Sequence, residues 1–163
     1  MLATPEPKGA ARLKQARLLA LLIPAGLLGG ALLSQYVGGL YPCEMCIWQR
    51  WPHGIAILLA LIALMSPIQA SRTRAIVMVA ALLIAVSGAI GVFHAGVEYG
   101  WWEGVTRCTT NGATSLQDIL AVPLVRCDQV QWSLFGISLA GFNAIISLGG
   151  AALIMALASR RAA

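Results

Sequence analysis

The sequence predicts an all-α fold: an integral membrane four-helix bundle, one domain over residues 1–163, with two outer loops. Three observations carry this expectation. Hydrophobic residues make up 59% of the chain and charged residues 10%, where a soluble domain carries about 25% charged residues; the mean hydropathy is +0.81. The apolar residues fall into four runs, about 18–37, 47–65, 75–97 and 134–158, each close to the roughly 20 residues that cross a bilayer. The charges cluster at the ends of these runs, where topology determinants lie. The net charge of +5 therefore does not point to nucleic acid, since no basic patch interleaved with aromatics is present.

In chain order, residues 1–17 are polar and basic, with Lys8, Arg12, Lys14 and Arg17, and Pro5 and Pro7 keep the start irregular. The apolar run from Leu18 to about Val37 is longer than the ~7–15 residues of a signal-peptide core, and another apolar segment follows it, so it reads as a span. Pro24 and the Gly29-Gly30 pair are tolerated in such a helix and let neighbours approach closely. A first outer loop at about 38–46 leads to the second span, which Pro67 closes. A short linker, Gln69 to Arg74, precedes the third. A long polar loop at about 98–133 separates it from the fourth, which ends before Arg160 and Arg161. Within that loop Ser115-Leu116-Gln117-Asp118 resembles a capping box. Leu116, Ile119 and Leu120 would give a short interfacial helix an apolar face, with Pro123 ending it.

The charges also orient the bundle. The N-terminal segment, the 69–74 linker and the C-terminus hold eight of the eleven basic residues. Five of the six acids, Glu44, Glu98, Glu103, Asp118 and Asp128, fall on the opposite side, with Arg50, Arg107 and Arg126. The positive-inside rule then makes both termini cytoplasmic and places Cys43, Cys46, Cys108 and Cys127 outside, in an oxidising compartment. Trp48, Trp51, Trp101, Trp102 and Trp132 fall at the outer ends of the spans, as an interfacial belt does.

The chemistry concentrates in Tyr41-Pro42-Cys43-Glu44-Met45-Cys46-Ile47-Trp48-Gln49-Arg50. Pro42 breaks the backbone before the pair. A helix starting near Glu44 puts Cys46 in its first turn, where unpaired N–H groups and the dipole favour a thiolate. Arg50, one turn later, adds positive charge on the same face. Four cysteines allow three pairings, of which Cys43–Cys46 with Cys108–Cys127 is the simplest. A ring as small as Cys43–Cys46 constrains little of the unfolded chain, so reactivity explains it better than stability does. No metal is expected, because thiols on the outer face are oxidised and an all-thiolate site would put net negative charge beside hydrocarbon. Attachment of c-type haem is excluded, since Ile47 stands where a histidine would follow Cys46. Arg107 and Arg126 each precede a cysteine and favour its thiolate modestly. His53 and His94, near membrane ends, read as packing or interfacial histidines rather than proton carriers.

With these residues in place, the chain resembles the DsbB-type disulfide bond formation proteins of bacterial inner membranes. Cys43-Glu44-Met45-Cys46-Ile47-Trp48-Gln49-Arg50 is similar to the family's C-x-x-C-x-x-x-R signature, and Trp132-Ser133-Leu134-Phe135-Gly136-Ile137-Ser138 resembles its entry into the last helix. The resemblance implies a relay to ubiquinone or menaquinone. A periplasmic DsbA-like thioredoxin-fold oxidase gives electrons to Cys108–Cys127, with Cys108 forming the mixed disulfide. The electrons pass to Cys43–Cys46 and then to the membrane quinone. Cys46 would contact the quinone ring and Arg50 polarise a carbonyl. The Cys108-to-Cys127 loop is shorter than in the best-known member, and Glu98-Tyr99 stands where that protein has a histidine, with His94 a turn earlier. Two competing readings are a structural four-span protein with two inert disulfides and a quinone reductase related to the vitamin K epoxide reductases. In the latter the C-x-x-C falls late in the chain, not between the first two spans.

Overall fold

The computed structural model describes residues 8–68, 71–105 and 125–159. Four helices dominate: α1 (Lys8–Tyr36), α2 (Glu44–Met65), α3 (Ser71–Glu98) and α4 (Leu139–Ser159). Each is long and apolar enough to cross a bilayer, and the chain is a multi-pass membrane protein. α3 packs chiefly on α4 and α2, and α1 on α2 and α4, which closes a four-membered ring of helices. The interior is built from small side chains: Ala16, Ala20, Ala56, Ala60, Ala80, Ala81 and Ala151 are fully or almost fully buried. The large aliphatics point outward, with Leu22, Leu33, Leu58 and Ile145 about 60% exposed. Water would punish that inversion. Lipid does not, and small interior residues let helices approach for dispersion contact.

α1 begins at Lys8, earlier than the apolar run at 18. Residues 8–17 contain good helix formers and no proline, so the helix extends through the basic segment. Arg17, 6% exposed, donates to Ser66 O at 3.2 Å and ties this end of α1 to the exit of α2. α2 carries Pro52 inside it. The Ser87 hydroxyl of α3 donates to Gln49 O at 2.8 Å, giving a backbone carbonyl beside the proline a second partner.

The segment entering α4 departs from the expected span start at about 134. Ser133–Leu134 (β1) pairs antiparallel with Ile137–Ser138 (β2), with Ser133 opposite Ser138. Phe135 and Gly136 form the two-residue turn with φ of 51° and 77°, the all-positive pattern that matches strand twist. Ser138 then caps α4, its Oγ accepting from Gly141 N at 3.1 Å. Tyr99 fastens the hairpin to the end of α3: its hydroxyl donates to Gly136 O at 2.8 Å and accepts from Ser138 N at 3.0 Å. The expected interfacial helix around Ser115–Leu120, together with Arg107, Cys108 and Pro123, lies outside the described residues.

Candidate active site

The chain leaves α1 through Gly38-Gly39 and enters α2 in extended conformation at Cys43 (φ −77°, ψ 174°), which makes Cys43 the N-cap residue. Its sulfur accepts from Cys46 N at 3.3 Å and donates to Cys46 Sγ at 2.9 Å. Cys46 therefore sits in the first turn, among the N–H groups that a helix leaves unpaired. A thiolate on it would be held by the Cys43 proton and the positive helix end.

The 125–132 segment closes over this pair. Cys127 is buried with Cys43, Met45, Val97 and Val125 in one cluster, against which Cys46 and Phe93 pack. Gln131 Nε2 donates to Tyr41 O at 2.8 Å, pinning the 125–132 segment to the stretch before Cys43. The Cys43 thiol is pushed far above its ordinary pKa, first by its hydrogen bond with Cys127, then by that with Cys46 and by burial. Arg126 does not reserve its charge for Cys127. Its guanidinium chelates Asp128, donating from Nε at 2.9 Å and from a terminal nitrogen. That pairing holds the exposed Asp128 carboxyl below the usual carboxylate range.

Behind the sulfurs lies a polar network within the spans. Gln49 donates from Nε2 to Met45 O at 3.1 Å and to His94 Nδ1 at 2.9 Å. Its Oε1 accepts from Asn143 Nδ2 at 2.7 Å. An amide oriented by two independent partners fixes the histidine tautomer: His94 Nδ1 accepts, so Nε2 carries the proton. That N–H faces Cys43 Sγ at 3.5 Å and the Glu98 carboxylate at 3.8 Å. Glu98 in turn accepts from the Ser138 hydroxyl. Ligand atoms of Cys43, Cys46 and His94 lie within 4.8 Å of one another. A metal there would need the Nε2 lone pair, which the Gln49 hydrogen bond places on the other nitrogen.

Arg50 turns from the sulfurs toward α1, donating to Gln35 Oε1 at 2.5 Å and Ala31 O at 3.2 Å, while its Nε is buried with no partner among the described residues. The space enclosed between α1, α2 and α4 is a cavity of about 260 Å³. Leu27, Leu28 and Phe142 line it as apolar walls, and Cys46, Arg50, His53 and His94 reach it from the polar side. Cys46, Gln49, Arg50 and His53 follow an i, i+3, i+4, i+7 pattern, so a single face of α2 meets the cavity. Cys43, Cys46 and Arg50 thus border one cavity and Cys127 packs with Cys43 beside it, while Cys108 lies outside the described residues.

Gln49, Ser87, Asn143 and Gln35 were not singled out by sequence reasoning. Their signal was available: amide and hydroxyl side chains within apolar runs need partners in hydrocarbon. What those partners are depends on how α2, α3 and α4 meet. His53 and His94, read as packing histidines, belong to this network.

The arrangement has relatives. A family model described as Disulfide bond formation protein DsbB matches residues 13–157. The Disulfide bond formation protein B of Aromatoleum aromaticum is 30% identical over 148 residues, which cover 84% of this chain and 87% of that protein. No solved structure gives a significant match. The family match takes in all four spans and the cysteine pair at the cavity, and on that extent the chain belongs to the DsbB family of disulfide bond formation proteins.

Proposed function

We propose that this protein is a quinone-dependent protein-disulfide oxidoreductase of the bacterial inner membrane that reoxidises a periplasmic DsbA-like thioredoxin-fold partner. The observation that carries this reading is the cavity, where the Cys46 side of the dithiol pair and the Arg50 guanidinium meet apolar walls. Family membership supports disulfide oxidoreductase chemistry. A quinone head group fits the residues present. Apolar walls suit its ring and tail, and Arg50 Nε, which has no hydrogen-bond partner among the described residues, is a donor for a carbonyl oxygen.

In this reading a partner thiolate attacks Cys108 of a Cys108–Cys127 disulfide, forming a mixed disulfide and releasing Cys127 as thiolate. The partner's second thiol displaces Cys108 and leaves oxidised, so two electrons and two protons now reside on Cys108 and Cys127. Cys127, already against Cys43, attacks the Cys43 sulfur of a Cys43–Cys46 disulfide and expels Cys46 as thiolate into the first turn of α2. Cys108 then attacks Cys127, restoring its own disulfide and returning Cys43 as a thiol. Ubiquinone or menaquinone held between Leu27, Leu28 and Phe142 on the apolar side and Arg50 on the polar side would supply the two-electron, two-proton acceptor. The protein's part in that last step is to hold the Cys46 sulfur at the cavity wall, to donate from Arg50, and to exclude water. The Cys43–Cys46 disulfide reforms as the electrons depart.

The test is anaerobic quinone reduction by purified protein in detergent, with a reduced DsbA-type donor. Cys46→Ser is expected to abolish turnover, and Arg50→Ala to lower it about a hundredfold, as loss of a donor to developing negative charge does. Wild-type rates in Cys46→Ser would overturn the assignment. Inert cysteines and no quinone reduction in the wild type would favour the structural alternative.

A further inference from the structure

His53 is 3% exposed and lies at the inner end of the cavity, seven residues along α2 from Cys46, about 10.5 Å deeper along the axis. Its Nε2 lies 2.9 Å from Asn143 Oδ1 and 2.9 Å from Ser87 Oγ. The orientation of both partners is settled by other bonds. Asn143 donates from Nδ2 to Gln49 Oε1 at 2.7 Å and to Ser87 O at 3.1 Å, and its Oδ1 accepts from Ser147 Oγ at 2.9 Å. The Ser87 hydroxyl sends its proton to Gln49 O at 2.8 Å. Both groups therefore offer His53 only lone pairs, and Nε2 carries the ring proton. Nδ1 is left as a bare acceptor. It is buried and has no hydrogen-bond partner among the described residues, a costly arrangement unless a ligand or water supplies a donor.

We propose that His53 Nδ1 is the inner polar contact of the pocket and accepts a hydrogen bond from a hydroxyl of the bound ring, so that the pocket selects the reduced form. This rests on the quinone reading above. A quinone carbonyl is also only an acceptor, and facing Nδ1 it makes no bond and is repelled. A quinol hydroxyl makes a bond there. The two ends of the pocket are thus unlike: Arg50 near the mouth donates, and His53 at the depth accepts. Tighter holding of the quinol raises the reduction potential of the bound couple, drawing electrons out of Cys43–Cys46. One hydrogen bond of about 1.4 kcal/mol corresponds to tenfold in affinity, and tenfold in a two-electron couple to about 30 mV.

The test uses full-length protein in detergent, in a Cys46→Ser background so that no electrons pass, under anaerobic conditions. Binding of decylubiquinone and decylubiquinol is read by quenching of tryptophan fluorescence. Quinol is expected to bind more tightly than quinone. His53→Phe, which keeps a ring but lacks the acceptor, is expected to lose roughly tenfold in quinol affinity and less than about twofold in quinone affinity. Equal losses for both forms, or none, overturn the inference and leave the quinone reading standing. Failure of either form to bind before His53 is changed overturns that reading itself. Should His53→Phe not fold, a His94→Gln protein labelled with 15N-histidine keeps His53 as the sole reporter. Its unprotonated Nδ1 resonance is expected to shift with decylubiquinol and not with decylubiquinone, and an unmoved resonance overturns the inference.

Discussion

Cys43 accepts a backbone N–H as the cap of α2, donates to Cys46, and bonds to Cys127. Every one of those contacts bears on its proton. Its pKa is raised, with Cys127 the largest cause, so at neutral pH the thiol is protonated and a poor nucleophile. In fully reduced protein, peptide-resolved alkylation with iodoacetamide should therefore find Cys43 slow. Its rate should keep climbing with pH beyond the range in which an ordinary thiol has levelled off. Cys127→Ala removes the largest cause, lowers the pKa toward the ordinary value, and so enlarges the thiolate fraction at a given pH. Cys43 alkylation should then accelerate severalfold near neutrality, and an unchanged pH profile would show that the Cys127 contact does not govern it. The spacing of Cys43, Cys46 and Arg50 was legible because each relation is local: a cap, a first turn, one turn further. The approach of Cys127 to Cys43, and of Asn143 to Gln49, spans 84 and 94 residues, and local propensity carries no information about either. The position of Arg50, one turn after Cys46, was legible, while its tie to Gln35 was not, because the register of α1 against α2 decides it.

Each helix was legible from its apolar run, since hydrocarbon leaves helix as the available way to satisfy the backbone. Their ends were less so. The basic first turns of α1 are helical by propensity rather than by hydropathy, and Leu134–Ser138 is apolar yet folds as a hairpin because Phe135-Gly136 turns back on itself. The end of α3 shows how tightly an element can be finished. Trp102 folds back along the helix, its Nε1 donating to Phe93 O at 2.8 Å and its ring stacking on Phe93 at 5.8 Å and 13°. This requires bare backbone at Gly96, where a Cβ would lie 2.0 Å from the indole. Gly96→Ala should therefore cost about 1–3 kcal/mol, the usual penalty of overpacking, seen as a lower thermal midpoint in detergent. Trp102→Ala should be destabilising alone, and the double substitution less destabilising than the sum, since the clash needs both partners. Strict additivity would mean that the indole does not rest on Gly96.

At the scale of the whole molecule the four spans run alternately, so their ends form two faces of opposite character. One collects Lys14, Arg17, Arg72 and Arg74, and the other carries Cys43, Cys46, Cys127, Glu44 and the exposed tryptophans. Lys and Arg near span ends resist translocation, so the basic face should be cytoplasmic. This orientation decides whether the proposed relay can operate, because glutathione and thioredoxin keep cytosolic thiols reduced. In a cysteine-free background, Gly104→Cys in the segment after α3 and Ser159→Cys at the end of α4 report opposite faces. A membrane-impermeant maleimide should label Gly104→Cys in intact inner-membrane spheroplasts, and Ser159→Cys only after permeabilisation. The reverse pattern would put Cys43, Cys46 and Cys127 in the reducing compartment, where a periplasmic partner could not reach them. Neutralising Lys8, Arg12 and Lys14 together should raise the fraction of inverted chains, because the N-terminal charges bias the first span. Arg72 and Arg74 should keep that fraction small: inversion would also have to carry the α2–α3 linker across the bilayer.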